Sequence, residues 1–282
     1  MTDTRQTKRL NAFAQQIRRD SIRMVRAAGS GHPGGAMGAA EILAVLYGAV
    51  LKQDSPKEPT RGPDRFVLSN GHICAGWYAA LSLAGLMPRE ELSTHRRLGS
   101  RLQGHPSRHM FPQAVETSSG PLGQGVSVAT GIALGKKLRK EPGRVFCLAG
   151  DGELQEGIVW ESALTAAHYK LENLVLIVND NNVQIDGPTS EVKMVRPVDE
   201  KFRSFGWDAV TVDGHDVEAL LRAVDGGGAG RGQPRCVVAE TVMAKGVSFM
   251  EHDPKWHGAC PSDEEAERAL NELGLAEELE DF

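Results

Sequence analysis

The chain has 282 residues, of which 40% are hydrophobic and 24% are charged, and its formal net charge is -5 at pH 7. This length and residue usage are those of a globular protein that can bury a full core, as one large domain or one domain with extensions. The negative charge provides no electrostatic basis for binding nucleic acid or an anionic membrane. We therefore expect neither among its partners.

The cysteines and the N-terminus indicate a reducing compartment. The four cysteines are scattered without a C-x-x-C pair, in a chain too large to need disulfide bonds for stability. The N-terminus mixes basic residues with an amphipathic pattern, and no later run approaches the length of a membrane span. We predict a cytoplasmic protein, with residues 1–282 as a single domain and the acidic residues 275–282 as a flexible tail.

The first elements are helical. The spacing of apolar residues predicts a helix over 7–28 that is stopped by Gly29, then a glycine-rich turn, then a buried helix over 41–51. The turn contains the pattern G-x-G-x-x-G, but it follows a helix, so we reject a dinucleotide-binding fingerprint, which requires a strand before it.

Short apolar runs alternate with helical patterns along the rest of the chain. The predicted strands are residues 65–69, 144–149, 173–178, 207–212 and 235–242. The predicted helices are residues 74–86, 89–97, 124–140, 198–205 and 216–224, and Ser262 with Glu265 forms a capping box for a last helix. This alternation predicts an α/β fold with a parallel sheet covered by helices on both faces.

Two stretches lack periodicity. Residues 98–124 contain histidines, arginines and apolar residues, and an irregular loop of such length in a compact domain is usually functional or disordered. We favour a functional loop. The glycine-rich residues 226–232 lie between a helix and a strand, which is the wrong order for a phosphate loop, and we interpret them as a linker. Pro56, Pro59 and Pro63 predict a further surface loop.

A strand-helix-strand segment, residues 144–187, carries oxygen ligands at both strand ends. The first strand stops at Gly150-Asp151-Gly152 and the second shortly before Asn181. A right-handed crossover makes the strands parallel, and if they are neighbours their carboxyl ends lie about 5 Å apart. Asp151 and Asn181 could then bind one divalent cation that shares its shell with phosphate and water. The two glycines would let a diphosphate approach, and the following helix N-terminus would offer N–H groups.

Four histidines lie in loops punctuated by glycine or proline, where a backbone can come close to a ligand. They are His32, His72, His105 and His257. A neutral imidazole can relay protons near pH 7, and an imidazolium can bind phosphate. His215 fits better into the turn that caps the next helix.

Two further patterns each have two interpretations. Gly120-Pro-Leu-Gly-Gln-Gly125 either starts a helix with a flexible lead or lets Leu122 present an apolar surface to a flat ring. The arginines of the long loop form either a solvated face, which we favour, or a sugar-phosphate clamp. They are Arg96, Arg97, Arg101 and Arg108.

Taken together, the motifs resemble, in order, the N-terminal, diphosphate-binding half of transketolase. They are SGHPGG, SNGH, QGHPS, SSGPLGQG, GDGELQEG with NDNNVQIDG, DGHD and KGVSFMEHDPKWHG. The resemblance runs from about residue 10 to about residue 275. It implies a thiamine diphosphate-binding fold in which the cofactor is held through Mg2+, with Ca2+ or Mn2+ as alternatives.

The resemblance also implies roles for single residues. Asp151, the Asn181 side chain and the Val183 carbonyl resemble the metal ligands. Asn182 and Val183 depart from the family pattern in a tolerant loop, which matters little if Val183 contributes only its carbonyl. His32 and His105 resemble the histidines that handle sugar hydroxyls and proton transfer, and Glu156 matches an acidic position at the dimer interface. The residues expected to bind the cofactor are His72, Gly120, Leu122, Gly150, Asp151, Gly152, Glu153, Asn181 and His257.

Length is the main departure. Single-chain transketolases continue with a pyrimidine-binding domain, whose glutamate activates the cofactor, and a third domain, whereas this sequence ends before either. The resemblance therefore implies the N-terminal subunit of a split transketolase, paired with a C-terminal subunit in a heterotetramer built on a two-fold dimer. Such a complex would transfer a two-carbon ketol unit from a ketose or ketose phosphate to an aldose.

Two alternatives stay open: a subunit of another thiamine diphosphate enzyme, such as a 2-oxoacid dehydrogenase or synthase, and a non-catalytic cofactor-binding or regulatory subunit.

Overall fold

The computed structural model describes residues 4–52, 62–226, 232–276 and 279–282. The strands are β1 (Arg65–Leu68), β2 (Val145–Gly150), β3 (Leu174–Asp180), β4 (Val183–Gln184), β5 (Gly187–Pro188), β6 (Asp208–Asp213) and β7 (Arg235–Glu240). The α-helices are α1 (Thr4–Ala28), α2 (Pro33–Gly38), α3 (Ala40–Val45), α4 (Cys74–Leu83), α5 (Gln124–Arg139), α6 (Gly157–His168), α7 (Thr189–Val192), α8 (Val198–Ser204), α9 (Val217–Asp225) and α10 (Asp263–Leu273). Short 3-10 turns span Gly71–Ile73, Arg89–Thr94, Gly152–Gln155 and Pro254–His257, and a π-helical turn, Leu46–Val50, extends α3.

Five strands form one parallel sheet in the order β1-β2-β3-β7-β6. The predicted neighbours β2 and β3 pair directly, with Gly150 opposite Asn179. The two-residue strands β4 and β5 form a separate antiparallel pair. Because β1, β2 and β3 are adjacent and parallel, the loops that leave their carboxyl ends meet at one edge of the sheet, where ligands bind in such folds.

Side chains on each strand alternate between two cores. Phe146 and Leu148 of β2 join the core that includes α1, α3 and α4. Cys147 and Ala149 join the core that includes α5, α6 and α8. Burial on both faces explains why the strands are continuous apolar runs rather than alternating ones. It confirms the predicted parallel sheet with helices on both faces.

Several predicted boundaries differ from the structure. The region predicted as one helix over 41–51 consists of α3 and a π-helical turn, and α2 already begins at Pro33, because proline suits the first helical position, where its missing N–H is not needed. The predicted helix 89–97 is only a 3-10 turn over Arg89–Thr94. β3 continues two residues beyond the predicted end because β7 pairs with it as far as Asp180.

His215 lies in the turn directly before α9, as predicted, where its N–H donates to the carboxylate of Asp213 at 2.8 Å. The cap is Asp216, whose carboxylate accepts hydrogen bonds from the first turn of that helix. His215 Nε2 accepts a hydrogen bond from the N–H of Val242 at 2.8 Å. Its Nδ1 therefore carries the proton and donates to Glu41, 3.0 Å away. The same buried carboxylate pairs with Arg18 at 2.6 Å, so His215 links the sheet to α3 and α1.

The acidic end of the chain contacts α1 through Asp281 and Phe282. Arg19 donates to the carboxylate of Asp281 at 2.6 Å, and Arg23 lies 3.5 Å from the same group. The guanidinium of Arg23 also lies 4.9 Å from the ring centroid of Phe282. The two cations on α1 explain the contact, because they provide counter-charge for the tail.

Some predictions fall outside the described residues. They concern Pro56, Pro59, residues 277–278 of the tail and residues 227–231 of the linker. Among the described helices, none is both long and apolar enough to cross a membrane.

Candidate cofactor site

A cavity of about 350 Å³ opens at the carboxyl ends of β1, β2 and β3. All the site residues expected from the sequence line it: His32, His72, His105, Gly120, Leu122, Gly150, Asp151, Gly152, Glu153, Asn181, Val183 and His257. Glu156, the expected interface residue, lines it as well. The structure thus brings together residues from both ends of the chain and from the long irregular loop.

Asp151 leaves β2 and caps the 3-10 turn that follows. Its Oδ1 accepts a hydrogen bond from the N–H of Gly152 at 2.9 Å, and its Oδ2 accepts one from the N–H of Asn182 at 2.7 Å. The residue is 2% exposed. The helix that follows this position begins as a 3-10 turn over Gly152–Gln155, and α6 begins at Gly157.

The environment of Asp151 favours a cation. Burial raises the pKa of its carboxyl group, and the nearby Asp180 raises it further. Asp180 is itself paired with Arg196 at 2.9 Å, so that guanidinium is already engaged. A buried carboxylate is costly without a counter-charge, and a bound divalent cation would be the largest local charge and would offset this cost.

The other two expected metal ligands follow β3. The Oδ1 of Asn181 accepts a hydrogen bond from the N–H of Val183 at 2.9 Å, and an amide oxygen has a second lone pair. Within the described ranges, no group of three or more His, Cys, Asp or Glu residues could hold a metal ion. A metal here would depend on one carboxylate, one amide and one carbonyl oxygen, a set that suits Mg2+ or Ca2+ completed by phosphate and water.

Glu153 lines the cavity, but its carboxylate is engaged by the chain itself. It accepts hydrogen bonds from the Oγ of Ser69 at 2.5 Å, the N–H of Gly123 at 2.6 Å and the N–H of Gly150 at 3.1 Å. Burial raises the pKa of this carboxyl group, and the three donors oppose the increase. Glu153 therefore joins the end of β1, the end of β2 and the turn before α5, and it holds the cavity walls in place.

The turn before α5 forms one wall of the cavity. Gly120 has φ 144°, and a Cβ atom there would come within 3.5 Å of the His105 ring. Leu122 is 38% exposed and lines the cavity, and Gly123, with φ 82°, precedes the helix. A partly exposed apolar side chain between glycines favours the interpretation that Leu122 offers an apolar surface to a flat ring.

The four loop histidines form one cluster. The ring centroid of His32 lies 5.3 Å from that of His72, 6.1 Å from His105 and 5.8 Å from His257. The rings of His72 and His257 are 5.2 Å apart. The Nδ1 of His32 is buried without a hydrogen-bond partner. The cluster therefore has hydrogen-bonding capacity that the protein does not use.

Burial lowers the pKa of all four imidazoles. Burial, with a smaller contribution from His257, lowers the pKa of His72 to about 3 and that of His32 to about 4. The pKa of His105 is lowered by burial and by Arg96, and that of His257 by burial. Near pH 7 each ring is then neutral and can donate one hydrogen bond and accept another. Neutral rings of this kind favour hydrogen bonding to hydroxyl groups over binding of phosphate by an imidazolium.

Comparison with known proteins decides the family. The family model described as transketolase, thiamine diphosphate binding domain, matches residues 10–280. The chain belongs to the transketolase family. Its domain in that family is the one that binds thiamine diphosphate.

Transketolase relatives match nearly the whole chain. An apulose-4-phosphate transketolase subunit from Actinobacillus succinogenes is 38% identical over 94% of this chain and 95% of its own length. Human transketolase is 38% identical over 96% of this chain but only 43% of its own length. The crystal structure of transketolase from Campylobacter jejuni superposes with a TM-score of 0.87 at 33% identity, covering 99% of this chain and 44% of that one. This chain thus spans less than half of the two longer transketolases.

Sequence reasoning missed two parts of this transketolase-family site. Asn70 is 1% exposed, lines the cavity and has a buried Oδ1 without a partner. Its place directly after β1 was the available signal. The second part is the β4–β5 hairpin, whose turn residues Ile185 and Asp186 line the cavity rim. Asp186-Gly187 is a turn-forming pair between short strands, so this hairpin also had a local signal.

Proposed function

We propose that the chain is the N-terminal, cofactor-binding subunit of a heteromeric transketolase. The complex transfers a two-carbon ketol unit from a ketose or ketose phosphate to an aldose. One observation carries this proposal: a single cavity gathers the strand-end oxygen ligands and four neutral histidines, in a chain of the transketolase family. The relative from Actinobacillus succinogenes has nearly the same extent as this chain, and its name describes one subunit of a transketolase, which supports a two-chain enzyme.

The strand ends of β2 and β3 would hold the cofactor. Thiamine diphosphate supplies, when bound, the electron sink for breaking and forming the carbon–carbon bond. Asp151, Asn181 and the carbonyl of Val183 would bind Mg2+. Gly152 supports the approach of a diphosphate, because a Cβ atom at this position would reach to 3.5 Å from Gln184 and fill the space between the two loops.

The remaining walls would orient the cofactor and the sugar. His72 and His257 would lie near the diphosphate, and Leu122 would contact the ring system. His32 and His105 would act on the substrate: each neutral imidazole would accept a proton from a sugar hydroxyl at one nitrogen while the other nitrogen orients the substrate as donor. The unpartnered Nδ1 of His32 supports this role.

A second protein chain would complete the site. Its pyrimidine-binding domain would supply the glutamate that activates the cofactor ring, and two copies of each chain would form a heterotetramer. The cavity rim supports this arrangement, because Leu122 is 38% exposed and Ile185 is 74% exposed next to the exposed Glu156. Apolar side chains at a rim are the kind of surface that a partner covers.

Reconstitution tests the proposal. The chain alone, with thiamine diphosphate, Mg2+ and a ketose–aldose pair, should give little turnover, and adding the C-terminal subunit should produce ketol transfer. Full turnover by the lone chain would overturn the two-subunit arrangement. Release of carbon dioxide from a 2-oxoacid by the complex would favour another thiamine diphosphate enzyme. Cofactor binding without any ketol transfer would indicate a non-catalytic subunit.

A further inference from the structure

Arg96 lies behind the histidine cluster and does not line the cavity. It follows the 3-10 turn Arg89–Thr94, and its side chain is half-buried. Its backbone has φ 61°, a left-handed conformation that is uncommon for any residue with a side chain. The N–H of Arg96 donates to the carbonyl of Leu102 at 2.9 Å. Such a conformation persists only where the surroundings hold it, and it is concentrated at functional sites.

The guanidinium of Arg96 joins two loops that are far apart in the sequence. Its Nη1 donates to the Oγ of Ser30 at 3.1 Å. Its Nη2 donates to the carbonyl of Gly104 at 3.4 Å. Ser30 lies two residues before His32, and Gly104 lies directly before His105. One planar side chain therefore connects the loops that carry the two histidines expected to act on the sugar.

A side chain at Gly104 would displace the Arg96 guanidinium. A Cβ atom at Gly104 would lie 2.7 Å from the Nε of Arg96 and 2.8 Å from its Cζ. The guanidinium thus packs directly on the backbone before His105, and its Nε is buried there without a hydrogen-bond partner. The guanidinium is therefore held at this place by the contacts of its two terminal nitrogens.

The charge of Arg96 acts on the same two rings. Beyond the effect of burial, the guanidinium lowers the pKa of His32 and of His105. It therefore helps to keep both imidazoles neutral, the form that can accept a proton from a hydroxyl group.

We propose that Arg96 is a positioning residue that holds the loops of His32 and His105 at a fixed separation. The inference rests on the proposed function for the roles of the two histidines. Arg96 contacts neither the cavity nor the expected cofactor ligands, so its effect should be confined to turnover. A displacement of about 1 Å in a catalytic group can lower a rate about 100-fold, and the loss of this connection permits such a displacement.

The test uses the reconstituted complex carrying Arg96→Gln, which removes both the charge and the forked contact. We expect kcat for ketol transfer to fall about 10- to 100-fold while affinity for thiamine diphosphate is unchanged. Arg96→Lys keeps the charge but cannot span both loops, so it should recover only part of kcat. Ser30→Ala removes one anchor and should lower kcat less than Arg96→Gln. The matched control is Arg97→Gln at the exposed neighbouring arginine.

A second measurement does not depend on activity. NMR titration of the histidines in the full chain should show a higher pKa for His32 and His105 in Arg96→Gln than in the wild type. Wild-type kcat in Arg96→Gln would overturn the inference, and so would full recovery by Arg96→Lys, since charge alone would then suffice. If the wild-type complex shows no ketol transfer, the proposed function fails, and an unchanged histidine pKa in Arg96→Gln would then overturn the inference separately.

Discussion

The two sides of the cavity are built in opposite ways. On the acidic side, both carboxylate oxygens of Asp151 and of Glu153 accept hydrogen bonds from the chain. On the histidine side, no hydrogen bond connects the four clustered rings to any other residue that the structure describes, and the Nδ1 of His32 is buried without a partner. The acidic side stands on strand ends, whereas the histidine side is assembled from loops and short 3-10 turns.

This difference shows which side has its hydrogen bonds satisfied before a ligand binds. The strand ends and their hydrogen bonds pre-organise the acidic side for a cation and a diphosphate, so binding would require little rearrangement. An unsatisfied buried polar group costs about 1–3 kcal/mol, and the histidine side carries such a group. Sugar hydroxyls would satisfy it. We therefore expect substitution of His32 or His105 to affect turnover, and substitutions on the acidic side to affect cofactor binding and stability.

The largest effect should follow from removing a substrate histidine. In the reconstituted complex, His32→Ala and His105→Ala should each lower ketol transfer about 100- to 10,000-fold, the usual contribution of general acid–base catalysis. Calorimetry should show unchanged affinity for thiamine diphosphate. His109→Ala, an exposed histidine of the same long loop, is the control. Unchanged transfer in both variants would mean that the histidine side is scaffold.

Replacement of Asp151, the expected metal ligand, should weaken cofactor binding. Asp151→Ala should weaken Mg2+-dependent binding of thiamine diphosphate at least about 100-fold, because even residues that only orient a metal ligand contribute about 10- to 100-fold. Isothermal calorimetry with and without Mg2+ measures the effect. Asp225→Ala, at an exposed acidic residue that does not line the cavity, is the control. Undiminished affinity in Asp151→Ala would refute the metal assignment.

A smaller effect should appear when the acidic side loses an internal connection. Glu153→Gln places an amide N–H where the carboxylate now accepts hydrogen bonds, and it should lower the free energy of unfolding by about 1–3 kcal/mol. Urea unfolding monitored by circular dichroism gives the value. The exposed Glu156→Gln should change it little, and equal stability of the two variants would show that Glu153 does not hold the walls together.

The fold was predictable from the sequence wherever burial controls the residue pattern. β2 and β3 are buried on both faces, which produces continuous apolar runs and places the boundaries of β2 within a residue of the prediction. The link from His215 to Glu41 was not predictable, because it joins residues 174 positions apart. Local patterns define elements, while contacts of this kind depend on how the elements pack.

The site was predictable to a similar extent. Asp151 and Asn181 could be placed together because they follow neighbouring strands, a relation that chain order and handedness nearly determine. The histidine cluster could be inferred only from the family resemblance, since no local rule positions loops that lie far apart in sequence. The contacts of Glu153 and Arg96 were missed for the same reason: their partners, such as Ser69 and Ser30, are remote in the chain.

The smallest effect should distinguish the two sides by the sign of their pH dependence. The pKa of His72 is about 3 in the folded chain and about 6.5 when unfolded, so between these values the unfolded state binds more protons. Stability from this side is therefore present above about pH 6.5 and is lost as the pH falls. The raised pKa of Asp151 acts in the opposite direction, because protonation at low pH relieves its burial. The melting temperature of the wild type should fall between about pH 6.5 and pH 5, and it should fall less in His72→Gln. The difference should be about 2–4 °C for each kcal/mol of pH-dependent stability that the substitution removes. Differential scanning calorimetry measures the slope of melting temperature against pH, and the exposed His168→Gln is the control. Identical slopes in the wild type and His72→Gln would show that the histidine side carries no such proton linkage.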